Sequence, residues 1–349
     1  MNIVVLAGGW SSERDVSLTS GSLIANALMQ RGHRVVLVDT YLGVDLTGDA
    51  SELFCNDITY QYSVSASVPD LNALKEKRGQ GDGLIGKNVW EICRCADVVF
   101  NAMHGGMGED GTIQAWLDCH GFCYTGTGAL GAALSMDKDV AKHLLRAAGI
   151  DVPRGIVVMP KTDENACRRV LDEVGLPCVV KPCCGGSSVG VSMVDTPEQL
   201  QVALNDGAAY GERLVVEQKI VGRELTVGVL GGRALPPVEI IPHEGFYDYH
   251  NKYQGGCATE LCPAPLTDEQ TAKVQKLTLQ GFAALHLEAY ARFDYLMDAA
   301  GRFWCLEANA LPGMTPTSLL PQMAQAVGMD YGSLCEEIVR LALQKQKRS

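Results

Sequence analysis

The apolar run NIVVLA at positions 2–7 stops at Gly8-Gly9, and residues 17–31 then place Leu23, Ile24, Ala27 and Leu28 at helical spacing. Strand, glycine turn and helix follow in that order. The pattern recurs, with a second strand at 33–39 and a third at 96–102 that ends at His104-Gly105-Gly106 before a helical stretch at 112–119. Strands separated by helices pair in parallel, so an N-terminal α/β unit is predicted, with ligands beyond the carboxyl ends of its strands. Gly8-Gly9 and His104-Gly105 both lie there. A nicotinamide-dinucleotide site is excluded, because GGWSSE lacks the third glycine of G-x-G-x-x-G.

A helix is predicted over residues 136–148, capped by Asp137, with Val140, Leu144, Leu145 and Ala148 as its apolar face and Gly149 as its stop. Strands then follow at 155–158, 178–181, 190–194 and 214–218, with helices starting near Asp163 and Pro197. Two helices over an antiparallel sheet is the expected shape. The remainder reads as strands at 224–230, 238–241, 291–297 and 303–307, with a helix at 268–285 and a lid over about 243–257. Residues 42–91 give no clear pattern.

At 349 residues the chain exceeds one core, so two or three domains with clefts between them are expected. The excess of 41 acidic over 29 basic residues, a net charge of −12, argues against a nucleic-acid binder. No stretch approaches the ~18 apolar residues of a membrane span, and MNIVVLAGG carries no basic leader, so a cytoplasmic chain is expected. The 13 cysteines form no CxxC pair or zinc-spaced cluster, which argues against disulfides and structural metal.

Three features carry chemistry. In CVVKPCCGGSSVGVS, residues 178–192, small residues connect two strands and can offer backbone N–H groups to phosphate, or can serve only as a flexible hairpin. Lys181, ending a buried strand, favours the phosphate reading, since its desolvation needs an anion. Lys138 lies in a first helical turn, where the macrodipole disfavours a cation and a phosphate would relieve the conflict. In ARFDYLMDAAGRFWCLEAN, residues 291–309, a hairpin is predicted to bring Asp294, Glu307 and Asn309 together as an all-oxygen site suited to Mg2+. An Arg292–Asp294 ion pair on a polar sheet face is the other reading. Two close carboxylates repel unless a cation lies between them. The three features together predict an ATP site for phosphoryl transfer.

The strings GGWSSERDVS, HGGMGEDGTIQ, ALSMDKDVAK, VVKPCCGGSSVGVS, FYDYHNKY, RFDYLMD and LEANALPGMTPTSLLP occur in this order along nearly the whole chain. Through them the chain resembles the D-alanine:D-alanine ligase family of the ATP-grasp superfamily. The resemblance implies a three-domain ATP-grasp fold: a Rossmann-like α/β domain at 1–127, a central subdomain at 128–216 and a C-terminal subdomain at 217–349. It implies ATP-dependent joining of two D-alanines for peptidoglycan through an acyl phosphate. ATP and two divalent ions, Mg2+ or Mn2+, would be required, the ions held by Asp294, Glu307 and Asn309. Lys138, Lys181 and Lys252 would contact phosphates, Glu217 the adenine side and Glu224 the ribose.

Glu13 would hold the first D-alanine's ammonium near His104, and Glu13, Ser187 and Tyr253 would pin the lid. Arg292 and the N–H of Gly313 would face the oxyanion, and Ser318 and Leu319 would receive the second D-alanine's carboxylate. A homodimer is implied. Taken alone, Glu13 reads as a helix-start acid, Ser187 as a turn residue and Tyr253 as a loop aromatic. Asn251, Ala310 and Cys183-Cys184 depart from the common family pattern. The alternatives are a D-alanine:D-serine ligase of the same fold and a nucleotide-binding sensor without turnover. Alanine at Asp294 or Glu307 is expected to abolish turnover with the fold largely intact.

Overall fold

The computed structural model describes residues 1–63, 69–78, 83–186, 189–243 and 258–347. Three sheets organise them.

In the first sheet, β1 (Asn2–Ala7) lies between β2 (Arg34–Asp39) and β3 (Val98–Asn101), all parallel. The crossover helix α1 (Arg14–Gln30) begins three residues before the predicted start. Its early start is fixed by Ser17, whose hydroxyl accepts from Gly8 N and donates to Ala102 O, tying helix, turn and β3 end together. Gly8 and Gly9 take φ of +74° and +82°, open to glycine at no steric cost. The unread 42–91 segment contains the short helix α2 (Leu71–Arg78) and runs into α3 (Val89–Cys93). It is pinned to α1 where the Asn26 amide bonds both the N–H and the carbonyl of Tyr60. Then come α4 (Thr112–Cys119), α5 (Ala129–Met136) and α6 (Lys138–Ala147).

Asp137 caps α6 as predicted, accepting from Asp139 N and Val140 N, and its other oxygen accepts from Arg213 at 2.6 Å. The predicted apolar face of α6 holds in part: Leu145 is buried, Leu144 and Ala148 pack against the same core, and Val140 is exposed. The helix also buries Lys138, Ala141 and Lys142. The interior on that side is charged, so hydrophobic spacing alone misses the lysines. Asp137→Ala removes the cap and the Arg213 pair together. It should cost about 1–2 kcal/mol, read as a lower denaturation midpoint; an unchanged midpoint would contradict the cap's role.

The second sheet has order β4-β7-β5-β6, all antiparallel, from β4 (Gly155–Val158), β5 (Cys178–Pro182), β6 (Ser192–Val194) and β7 (Leu214–Gln218). Helices α7 (Ala166–Glu173) and α8 (Pro197–Gly207) cover it, as expected. β6 starts two residues late because Gly190, at φ +73°, still belongs to the turn. α7 starts late as well, since the Asp163 carboxylate is occupied by Asn165 N and Arg169 in a preceding turn.

The third sheet runs β11-β10-β8-β12-β13, with β9 on β8. Its strands are β8 (Arg223–Leu230), β9 (Arg233–Ala234), β10 (Val238–Pro242), β11 (Ala258–Leu261), β12 (Tyr290–Met297) and β13 (Phe303–Asn309). The long helix α9 (Asp268–Ala284), with a Thr267 capping box, packs over β8 and β12. The helices α10 (Leu319–Ala326) and α11 (Tyr331–Gln346) share one core with α1 and the first sheet, including Ile24, Leu28, Leu320 and Ile338. That core joins the two ends of the chain. Among the described residues no helix is long and apolar enough to cross a membrane.

Candidate active site

β12 and β13 pair with Met297 opposite Phe303 and Tyr295 opposite Cys305. Continued without interruption, that register would set Asp294 against Leu306 and turn Glu307 to the other face. A bulge at this point changes the outcome: Asp294 lies opposite Glu307, and Arg292 opposite Asn309. The Cys305 N–H, turned away from the ladder, donates to Asp151 O at 2.8 Å. One surplus residue, Leu306, puts both carboxylates on the same face.

Asp294 is buried at the centre of a polar junction. Arg292 donates to both its oxygens at 2.9 Å, Thr226 to Oδ1 at 2.6 Å and Asn309 Nδ2 to Oδ2 at 3.0 Å. The ion pair and the carboxylate cluster, read from sequence as alternatives, are therefore present together. Asn309 turns its amide nitrogen, not its oxygen, toward Asp294.

Lys138 Nζ donates to Gly185 O at 2.6 Å and lies 3.8 Å from Glu307 Oε2. Lys181 Nζ lies 2.8 Å from Glu217 Oε2, and Lys142 contacts Glu217 Oε1. The Glu217 carboxylate thus faces two lysines. Burial pushes the Lys181 amine down to about 8, aided by the Lys138 charge and opposed by Glu307. Burial and the Lys181 charge push Lys142 down as well, and contact with a carboxylate works the other way. Lys142 was missed by sequence reading. Its signal was a lysine one turn after Lys138, on the same helical face.

A cavity of about 550 Å³ opens between the second and third sheets. Lys138, Lys181, Glu217, Glu224, Arg292, Asp294, Glu307 and Leu319 all contribute to its wall, along with Cys184-Gly185-Gly186 of the glycine loop. Burial pushes the Cys183 thiol up to about 12 and raises Cys184 too, so neither is poised as a thiolate nucleophile.

Glu13 is buried at the start of α1. A Cβ on Gly105 would come within 2.7 Å of its Oε2, and one on Gly186 within 3.5 Å. It therefore sits between the His104-Gly105 turn and the glycine loop. His104 is buried, with Nδ1 3.5 Å from Glu109 Oε1 and no hydrogen-bond partner for Nε2 among the described residues. Ser318 precedes α10, but its hydroxyl turns to Thr315, accepting from the backbone N at 3.1 Å. A Cβ on Gly313 would lie 3.0 Å from that hydroxyl, so the Gly313 backbone and Ser318 are neighbours. Ser187, Asn251, Lys252 and Tyr253 lie outside the described residues, as does the expected lid apart from His243.

The family model for the N-terminal part of D-Ala–D-Ala ligases matches residues 2–127, and that for the C-terminal part matches residues 144–340. The chain belongs to the D-alanine–D-alanine ligase family. It is 40% identical over 352 residues to a ligase of that name from Pediococcus pentosaceus, covering 99% of this chain and 98% of the relative. A ligase from Nitratidesulfovibrio vulgaris is also 40% identical, covering 98% of each. A crystal structure of the Bacillus anthracis ligase complexed with ATP superposes with a TM-score of 0.76 at 28% identity, covering 100% of this chain and 99% of that one. The fold is the ATP-grasp fold of that family, with a parallel N-terminal sheet followed by antiparallel ones.

If Lys181 meets phosphate in this family member, kcat/KM for ATP should fall as pH rises through about 8, where the free protein loses that ammonium. The sign follows from protonation: the cation that attracts phosphate is present below this value and absent above it. A profile flat through it would remove Lys181 from the phosphate contacts.

Proposed function

We propose that this chain joins two D-alanines to D-alanyl-D-alanine at the expense of ATP, supplying peptidoglycan synthesis and hence the cell wall. The observation that carries the reading is the wall of the cavity: Arg292, Asp294 and Glu307 from the bulged hairpin, together with Lys138 and Lys181 from the other two elements.

The first D-alanine's carboxylate oxygen attacks the γ-phosphorus, forming the acyl–phosphate bond as the bond to ADP breaks. The second D-alanine's amine then attacks the carbonyl carbon, and the tetrahedral species expels phosphate. Lys138, Lys181 and Lys252 balance the phosphate charge, and backbone N–H groups of the glycine loop orient it. Arg292, aimed by its fork on Asp294, and the Gly313 N–H face the oxyanion. Glu13 beside the His104 turn suits the first ammonium, and Ser318 with Leu319 suits the second carboxylate. Glu217 and Glu224 border the nucleoside side, and Ser187 and Tyr253 would hold a lid that excludes water from the acyl phosphate.

The donor set fits Mg2+ or Mn2+. Asp294 and Glu307 supply two hard carboxylates on one face, and a half-turn of the Asn309 amide supplies a neutral oxygen. Bound there, two such ions would supply positive charge against the charge that develops on the phosphates. For the division at 1–127, 128–216 and 217–349 the sheets give partial support: β7 (Leu214–Gln218) of the second sheet runs across the 216/217 boundary, and α10 and α11 share the core of the first sheet. A cytoplasmic homodimer is the assembly we infer, which light scattering on the purified protein tests.

The deciding experiment incubates purified protein with ATP, Mg2+, D-alanine and D-serine and weighs the products. D-Ala-D-Ala should dominate. A mainly mixed dipeptide would make it a D-alanine:D-serine ligase, and phosphate release that ignores D-alanine would leave a nucleotide sensor.

A further inference from the structure

Helix α6 turns two lysines inward, and Lys142 is the deeper, 5% exposed against 9% for Lys138. It lies against Glu217 Oε1, while Lys181 Nζ lies 2.8 Å from Glu217 Oε2. One carboxylate, 2% exposed, is therefore shared by two cations. Gly155, its cross-strand neighbour, makes the room, since a Cβ there would approach Glu217 Cγ to 2.9 Å. The carboxylate has little space to move elsewhere.

Glu217 and Lys181 reach the cavity wall, whereas Lys142 does not. Lys142 therefore acts on a ligand at one remove, and Glu217 is the group on the cavity wall that it pairs with. A buried carboxylate deprived of its cation is strongly destabilised. If Lys181 were its sole partner, moving that ammonium onto a phosphate would strand Glu217. With Lys142 on the other oxygen, Glu217 stays compensated and Lys181 can leave.

We propose that Lys142 is a positioning residue that keeps Glu217 neutralised, so that Lys181 can pass from Glu217 to the polyphosphate of a bound nucleoside triphosphate. The proposal rests on the reading of Lys181 as a phosphate contact.

The test is calorimetric titration of the full chain with adenylyl imidodiphosphate and Mg2+, without D-alanine. Lys142→Met is compared in the native and the Glu217→Gln backgrounds. In the native background it should weaken binding by about tenfold or more; with Glu217→Gln, where no carboxylate needs compensation, by less than about threefold. Lys142→Gln, uncharged but still a donor, should behave the same way and substitutes if the methionine variant does not fold. A loss below about threefold in the native background, or equal losses in both, would overturn the proposal, the latter being what a merely structural lysine gives. Because no D-alanine is present, failure here and failure of the ligation assay are separable.

Discussion

Glu307→Gln stops turnover and leaves the fold standing. The Glu307 side chain is 26% exposed, and its ion pair with Lys138 is long, at 3.8 Å. Such a pair contributes at most about 1 kcal/mol. Glutamine keeps the shape, so the bulge and its neighbours have no reason to move. What it removes is the negative charge facing the cavity. An amide oxygen holds a divalent ion much less strongly than a carboxylate, and the phosphates then lose the cation that offsets their repulsion. The expected result is a fall in D-alanine-dependent phosphate release of about a thousandfold, with the melting temperature within a few degrees of native. Activity within tenfold of native at limiting Mg2+ would remove Glu307 from the metal-binding set.

Asp294→Ala should lose both activity and stability. Read from the sequence, Asp294 and Glu307 are interchangeable ligands whose loss spares the fold. The structure separates them. Asp294 accepts from Arg292, Thr226 and Asn309, and the Arg292 side chain is itself only 14% exposed. Removing the carboxylate takes an acceptor from both arms of a largely buried guanidinium, a change of about 3–5 kcal/mol. Turnover should be undetectable, and the denaturant midpoint should fall clearly, unlike that of Glu307→Gln. Equal stability of the two variants would show that the Arg292–Asp294 pair does not hold the junction.

Much of this was legible from local pattern. β1 and its glycine turn, the Asp137 cap and the Asp268–Ala284 helix each follow from spacing or capping chemistry within a few residues. The cavity set was legible because charged residues at strand ends and helix starts conflict with burial unless a ligand resolves the conflict. Three things were not legible. The charged part of the α6 face was missed because Lys142 is buried against a carboxylate more than 70 positions away, a pairing that no local window contains. The described parts of the 42–91 segment are held by contacts with α1 and the first sheet, among them Asn26 on Tyr60 and the burial of Phe54 and Val89 in the sheet's core, rather than by a periodicity of their own. The pairing of Asp294 with Glu307 was expected, but the bulge that produces it was not: the register from Met297–Phe303 alone would turn Glu307 away, and only the pairing partners reveal the surplus residue.

That surplus residue changes which face β13 presents. On the tip side of Leu306, Phe303 and Cys305 are buried in the core, and past it Glu307 turns to the cavity beside Asp294, although strict alternation would keep it with Cys305. β12 is meanwhile locked along its other edge to β8 over eight consecutive pairs, so any adjustment falls on β13. One short strand thereby serves the hydrophobic interior and the charged cavity at positions two residues apart.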